Sequence, residues 1–182
     1  MTASPATPPA QVLVVGAGTM GTAIADTFAS AGVATALMSR NPSRVSPSDN
    51  PLVVVDDFPS QPPDLIIEAI PENLDLKADL FCRAESAYGG APVLASNSSG
   101  LPLQEIAGKL SHPERFLGIH YFHPARELPL VEIVRVAETS DACLATARHL
   151  LSRSGRNAPA SPTWTKRCAT GRACAGRRWG RT

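Results

Sequence analysis

Short apolar runs alternate with amphipathic stretches along most of the chain. Val12-Leu-Val-Val15 is wholly apolar, as a parallel strand covered on both faces requires. The stretch from the following glycines to Ala31 puts Met20, Ile24, Phe28 and Ala31 at helical spacing, and Gly32 supplies a stop. Ala34-Thr-Ala-Leu-Met38 reads as a second strand. Strand, turn, helix and strand within about 30 residues make a βαβ unit, whose crossover is expected to be right-handed. The rhythm then continues. Leu52-Val-Val-Val55 and Leu65-Ile-Ile67 read as buried strands, and Leu74 to Ala87 as a helix with Leu76, Leu80 and Phe81 on its inner face. Pro92-Val-Leu-Ala95 is a further strand, Leu103 to Leu110 a short helix behind Pro102, and Phe116–Phe122 and Leu128–Val136 two more strands. Ala142 to Ser152 closes the series as a helix. The alternation predicts an α/β fold with a doubly wound, mostly parallel sheet over residues 11–153.

The first turn reads Gly16-Ala-Gly-Thr-Met-Gly21, a Gly-x-Gly-x-x-Gly pattern that leaves an apolar strand and opens a helix. Three glycines alone are a weak signal, but in this place they describe a Rossmann-type dinucleotide site. Gly16 permits the tight turn, Gly18 lets backbone approach a pyrophosphate, and Gly21 lets helix and strand pack closely. The helix N-terminus then offers free N–H groups and partial positive charge to the phosphates. The alternative is an ordinary glycine turn. Cofactor choice is read at the end of the second strand, where an NAD site carries Asp or Glu about 20 residues beyond the glycines. Met38-Ser39-Arg40-Asn41 stands there instead. A carboxylate would repel a 2′-phosphate, whereas Ser39 and Arg40 can bind one, so NADP is favoured over NAD. Otherwise Arg40 simply solvates a loop.

Composition adds a boundary. The chain has 182 residues and a formal charge of +1, but all 16 acidic residues lie at or before Asp141, beside 8 basic ones, a balance of −8. Beyond Asp141 there are 9 Lys/Arg and no acid, a balance of +9. Residues 1–10, rich in Ala, Pro and Thr, are expected to be disordered, and 154–182 to form a basic, disordered tail without apolar period. Cationic runs attract phosphates, but the tail's aromatics are too few and scattered for a stacking platform, so nucleic acid is not expected as a partner. Neither a spanning run of about 18 apolar residues nor a secretory layout is visible, which points to a cytoplasmic protein with no membrane partner. Cys82, Cys143, Cys168 and Cys174 show no ligand spacing, and no metal is expected.

Three later stretches go beyond a generic nucleotide fold: Glu68-Ala-Ile-Pro-Glu-Asn-Leu-Asp-Leu-Lys77, Ala95-Ser-Asn-Ser-Ser-Gly-Leu101, and Gly118-Ile-His-Tyr-Phe-His-Pro124 running into Leu128-Pro-Leu-Val-Glu-Ile-Val134. With the glycine turn they resemble the NAD-binding domain of the 3-hydroxyacyl-CoA dehydrogenase family, in four motifs that occur in order over residues 11–153. The resemblance implies an oxidoreductase that moves a hydride between NAD or NADP and a small-molecule substrate, a 3-hydroxyacyl-CoA or related 3-hydroxy acid. By position, His120 matches the family's catalytic histidine, Glu132 the carboxylate paired with it, and Ser99 the serine that hydrogen-bonds the reacting oxygen. Oxidising a secondary alcohol requires removal of its proton, and imidazole titrates near neutral pH. Ser99 is otherwise a turn or cap residue. Glu72 and Lys77 match positions on the nicotinamide-ribose side, with an exposed ion pair as the alternative. Ala17, Thr19, Met20 and Ala69 complete the expected cofactor contacts. Asn97 lies nearby.

Departures from the family pattern qualify the picture. His123 stands where the family has Asn, offering its donor and acceptor in a different geometry. The segment Asn41–Asn50 is short where acyl-CoA-specific members carry a helical insertion. The family continues into Pro-Gly-Phe-x-x-Asn-Arg and an all-helical domain that closes the substrate site and dimerises. Neither is legible after Ala158, and the acid-free tail resembles translation in a shifted reading frame. A dinucleotide-binding remnant with little turnover is thus the alternative to an enzyme. An apolar patch and self-association as a homo-oligomer are expected where that domain would pack.

Overall fold

A computed structural model describes residues 11–161. The strands are β1 (Gln11–Val15), β2 (Ala34–Met38), β3 (Leu52–Val55), β4 (Leu65–Glu68), β5 (Val93–Ser96), β6 (Phe116–Tyr121), β7 (Val131–Arg135) and β8 (Ala160–Ser161). The helices are α1 (Thr19–Ser30), α2 (Leu74–Tyr88), α3 (Leu103–Ala107) and α4 (Asp141–Arg153). All eight strands form one sheet in the order β3-β2-β1-β4-β5-β6-β7-β8. β1 to β6 are parallel, β7 is antiparallel to β6, and β8 is parallel to β7. The Rossmann-type doubly wound sheet expected from the sequence is therefore present. The chain first builds outward from β1 to β3, then returns to add β4 on the other side of β1, so the strand order reverses between β1 and β4. Loops diverge at such a point and leave a crevice beyond the carboxyl ends of the strands.

Successive residues of a strand point to opposite faces, which explains why the central strands are apolar throughout. Val12 and Val14 pack with Ile24, Phe28, Leu150 and Leu151 in the layer of α1 and α4. Leu13 and Val15 pack with Phe81, Ile106 and Phe116 in the layer of α2 and α3. The result is a three-layer sandwich with two cores. Caps fix the ends of two long helices: Asn73 accepts from the Leu76 N–H at α2, and Ser140 from the Cys143 N–H at α4. Gly89 ends α2 at φ +59°, a left-handed conformation suited to glycine.

Four expectations need correction. Leu76 is not on the inner face of α2; it is 47% exposed, and the buried face is formed by Lys77, Ala78, Leu80, Phe81, Ala84 and Glu85, with Leu80 and Phe81 where they were expected. An isolated apolar residue one position off the stripe cannot rotate a helix whose other contacts are set. The helix expected to Leu110 ends at Ala107, before Gly108. The strand expected from Leu128 begins at Val131, with Leu128 and Leu130 exposed. Pro129, which has no N–H to give a ladder, precedes it. Finally, the fold does not stop at residue 153. The Asn157 N–H donates to Pro129 O (2.9 Å), the Val131 N–H to Asn157 O (3.0 Å), and β8 extends the edge beside β7. A two-residue edge strand is held by backbone hydrogen bonds and leaves no apolar period to read. Residues 1–10 and 162–182, with the expectations placed on them, lie outside the described residues.

The glycine turn generates a contrast in stability. A Cβ on Gly21 would lie 1.7 Å from Gly16 O, a backbone atom, whereas one on Gly18 would meet nothing within 4 Å. Gly21→Ala is expected to lower the unfolding free energy by about 2 kcal/mol or more, and Gly18→Ala to change it by less than about 1 kcal/mol. Urea titration followed by circular dichroism measures both; equal losses would contradict the packing described.

Candidate active site

The crevice begins at the first turn. Gly16 has φ +106°, and a Cβ there would lie 2.8 Å from Ala69 O, so the turn at the end of β1 sits hard against the segment after β4. Gly18 is the N-cap of α1 and gives it no side-chain cap, and the first turn of α1 has no acidic residue. α2 and α4, by contrast, have both a cap and an aspartate there. The amino end of α1 thus keeps its N–H groups and dipole uncompensated, and the space over Gly18 is open. Ala17 and Met20 are half-buried beside it and Thr19 is exposed. These features fit a pyrophosphate. At the end of β2, Ser39 is half-buried, with its Oγ accepting from the Asn41 N–H (3.2 Å), and Arg40 is exposed. The segment from there to β3 holds a single 3₁₀ turn, Pro42–Arg44. It is tied to α1 through Asp26, which accepts from Ser48 Oγ (2.8 Å) and Asn50 Nδ2 (2.7 Å).

The register of β6 and β7 puts His120 directly opposite Glu132. His120 Nδ1 lies 3.5 Å from Glu132 Oε2, and His120 Nε2 lies 3.3 Å from Ser99 Oγ, on the loop after β5. A carboxylate can only accept, so it favours the tautomer with hydrogen on Nδ1; Nε2 is then the acceptor for the Ser99 hydroxyl. Both contacts are at the long end of hydrogen-bonding distance. The imidazole also meets the edge of the Phe122 ring at 4.7 Å between centroids. The three residues form a line that can take a proton at Nε2 and stabilise the resulting imidazolium at Nδ1.

Beneath this line lies a charged group that the sequence reading did not anticipate. Glu68, at the end of β4, is 0% exposed, and Lys77 is 1% exposed. Lys77 Nζ is 2.8 Å from both Glu68 oxygens and 3.1 Å from Glu72 Oε2. The exposed ion pair allowed for Glu72 and Lys77 is thus replaced by a triad in which Glu68 and Lys77 are buried and Glu72 remains exposed. Glu72 Oε1 accepts from Ser98 Oγ and from the N–H groups of Ser99 (3.2 Å) and Gly100 (3.1 Å). Partial burial would raise the Glu72 carboxyl, but the Ser98 hydroxyl, the Lys77 charge and the Gly100 N–H together hold it below its usual value. Ser96 Oγ donates to Glu68, and Asn97 Oδ1 accepts from the Tyr121 N–H (2.9 Å), which ties the end of β5 to β6. Glu68, Ser96 and Ser98 were given no role from sequence. The available signal was a carboxylate ending an otherwise apolar strand, followed nine positions later by a lysine.

Some of these groups line a cleft of about 490 Å³: Met20, Ala69, Ile70, Glu72, Lys77, Asn97, Ser99 and Gly100 border it. Of the expected catalytic residues only Ser99 is part of that lining, and of Gly16 to Gly21 only Met20; Ser39, Arg40, His120, His123 and Glu132 are not, and His123 is exposed just beyond β6. Among the described residues no cluster of His, Cys, Asp or Glu could hold a metal ion, and no helix is long and apolar enough to cross a membrane.

The low Glu72 pKa has a consequence with a fixed sign. A carboxyl depressed in the folded state contributes stability that is fully present above the unfolded value and is lost as the pH falls through it. For Glu72 that loss begins near pH 4.5 and continues below. Glu72→Gln is expected to flatten the fall in stability between about pH 4.5 and pH 3, as measured by urea titration at several pH values. An unchanged slope would contradict the hydrogen bonds assigned to this carboxylate.

The family model for the 3-hydroxyacyl-CoA dehydrogenase NAD-binding domain matches residues 11–52 and 55–160. Among solved structures, the dehydrogenase part of multifunctional enzyme 1 from C. elegans is 30% identical with a TM-score of 0.80, over 87% of this chain and 42% of that one. A 3-hydroxyacyl-CoA dehydrogenase from Archaeoglobus fulgidus is 26% identical with a TM-score of 0.77, over 89% of this chain and 60% of that one. A 3-hydroxybutyryl-CoA dehydrogenase from Escherichia coli is 28% identical with a TM-score of 0.73, over 85% and 38% respectively. The chain thus matches 38% to 60% of the length of these relatives. With the glycine turn, the reversal of strand order and the motif residues in place, the chain belongs to the 3-hydroxyacyl-CoA dehydrogenase family, of which it carries the NAD-binding domain.

Proposed function

We propose that this domain holds a nicotinamide dinucleotide across the carboxyl ends of β1, β2 and β4 and serves the oxidation of a 3-hydroxyacyl-CoA or related 3-hydroxy acid, with His120 as general base. The observation that supports the reading is the line Ser99–His120–Glu132, whose Ser99 end lines the same cleft as Met20, in the first turn of the helix that the glycine turn opens. Gly16 to Gly21 would hold the pyrophosphate, Ala69 and Glu72 (backed by Lys77) the nicotinamide-ribose side, and His123 the rim. When bound, the nicotinamide supplies the hydride acceptor. His120 Nε2 takes the hydroxyl proton, Glu132 steadies the imidazolium, and Ser99 Oγ hydrogen-bonds the oxygen as it becomes a carbonyl. In the reverse direction the imidazolium returns the proton.

His120→Ala is expected to lower the rate of NADH- or NADPH-dependent reduction of an acetoacetyl thioester by roughly 10²- to 10⁴-fold without loss of cofactor affinity. Negligible turnover in both proteins, with cofactor binding intact, would instead identify a dinucleotide-binding unit. That second reading is favoured by one observation, that the chain matches at most 60% of the three relatives' length.

For the cofactor, Ser39 and Arg40 at the end of β2 favour a 2′-phosphate. Tighter binding of NADPH than of NADH is the expected result, and Arg40→Asp should reverse the order. Tighter binding of NADH by the unaltered chain, measured by fluorescence titration, would remove the preference.

A further inference from the structure

The triad suggests a role for Glu68, which does not line the cleft, and for Lys77, which lines it with its donors turned to carboxylates. An ammonium has three N–H donors. Lys77 Nζ faces three carboxylate oxygens, at 2.8, 2.8 and 3.1 Å, so its donor set is filled within the protein. Glu68 is likewise enclosed. It receives Lys77, the Ser96 hydroxyl and the Ile70 N–H (3.1 Å). Each carboxylate then grips the loop after β5 through a serine. Ser96 Oγ donates to Glu68 and accepts from the Ser98 N–H (3.3 Å). Ser98 Oγ donates to Glu72 and accepts from the Leu101 N–H (3.0 Å). Glu72 adds the N–H groups of Ser99 and Gly100. The contacts of Ser98, Ser99 and Gly100 with Glu72 lie on the loop that presents Ser99 Oγ to His120, and Ser96, at the end of β5, ties Glu68 to its start.

Buried ion pairs add little net stability compared with apolar residues of the same shape, and their best-attested use is to fix one arrangement among several. We propose that Glu68 and Lys77 are positioning residues, which hold Glu72 against the Ser98–Gly100 backbone and so set the distance between Ser99 and His120. The clamp deepens the proposed function and rests on it only for the use made of Ser99. Without the lysine, two adjacent carboxylates cannot both stay ionised in place, and Glu72 is the one with a route to solvent. Without the Glu68 charge, Lys77 keeps one ionic partner and is drawn toward it, away from the geometry that presents Oε1 to the loop.

The test is amide hydrogen exchange by NMR on the full chain without cofactor. In Lys77→Met and Glu68→Gln, the Ser99 and Gly100 amides are expected to exchange about tenfold faster or more, as for loss of a hydrogen bond to a charged group. The amides of Ala95 and Ile119, in the neighbouring strands, should change less than about threefold. Glu72→Gln, at a half-exposed site, should release the same two amides, and adding Glu68→Gln to it should have no further effect on them. Uniform acceleration across the sheet, unchanged loop amides, or failure of both buried variants to fold would assign the pair to general stability and overturn the clamp. In turnover assays kcat should fall in both variants, and the KM for the dinucleotide should rise with it, because the displaced Glu72 also serves the nicotinamide-ribose side. Clamped amides in a chain that transfers no hydride would sink the proposed function and leave the clamp. Full turnover in variants with unchanged amides would do the reverse.

Discussion

Six parallel strands impose the constraint on which the rest of this molecule depends. Parallel pairing points every carboxyl end to one edge of the sheet, and every loop that leaves that edge meets its neighbours there. The glycine turn after β1, Ser39 after β2, Ala69 and Glu72 after β4 and Ser99 after β5 are distant in sequence and neighbours in space for this reason alone. His120, near the end of β6, joins them. Glu132 could not do so from another parallel strand at the same position. Because β7 reverses direction, its beginning lies at the edge where β6 ends, and the two residues face each other in register.

Close approach of backbone to backbone supplies the second requirement. α1 can start directly above β1 only because Gly21 has no Cβ to meet Gly16 O, and the turn can lie against the β4 loop only because Gly16 has none to meet Ala69 O. The helix that results is left without the cap and the acidic first turn that α2 and α4 possess. Local stability is forgone at the amino end of α1, where an anionic ligand can supply the missing charge and acceptors.

Charge inside the protein follows the same geography. Glu68, Lys77 and Glu72 lie under the loops, where their value is directional: an ammonium with filled donors and a carboxylate with several convergent donors admit few alternative arrangements. Elsewhere the described ion pairs, such as Arg83 with Asp57 and Lys109 with Asp75, are mostly exposed and contribute little.

Apolar runs at Val12–Val15 and Leu65–Ile67, the three glycines and the residue types at 99, 120 and 132 were determined by sequence alone, since period, turn chemistry and motif spacing are local properties. The layers of the sheet and the order of its elements followed from them. What only the tertiary structure decided was everything that depends on neighbours brought from afar. Leu76 faces out and Lys77 in because the counter-charge for Lys77 comes from the end of another strand. Ala160 and Ser161, with Asn157 in an isolated bridge, join the sheet because the edge of β7 offers unpaired backbone groups, which no side-chain pattern announces. Two carboxylates and an ammonium look like ordinary surface charges along the chain; only their enclosure by folded backbone makes them a floor for the site.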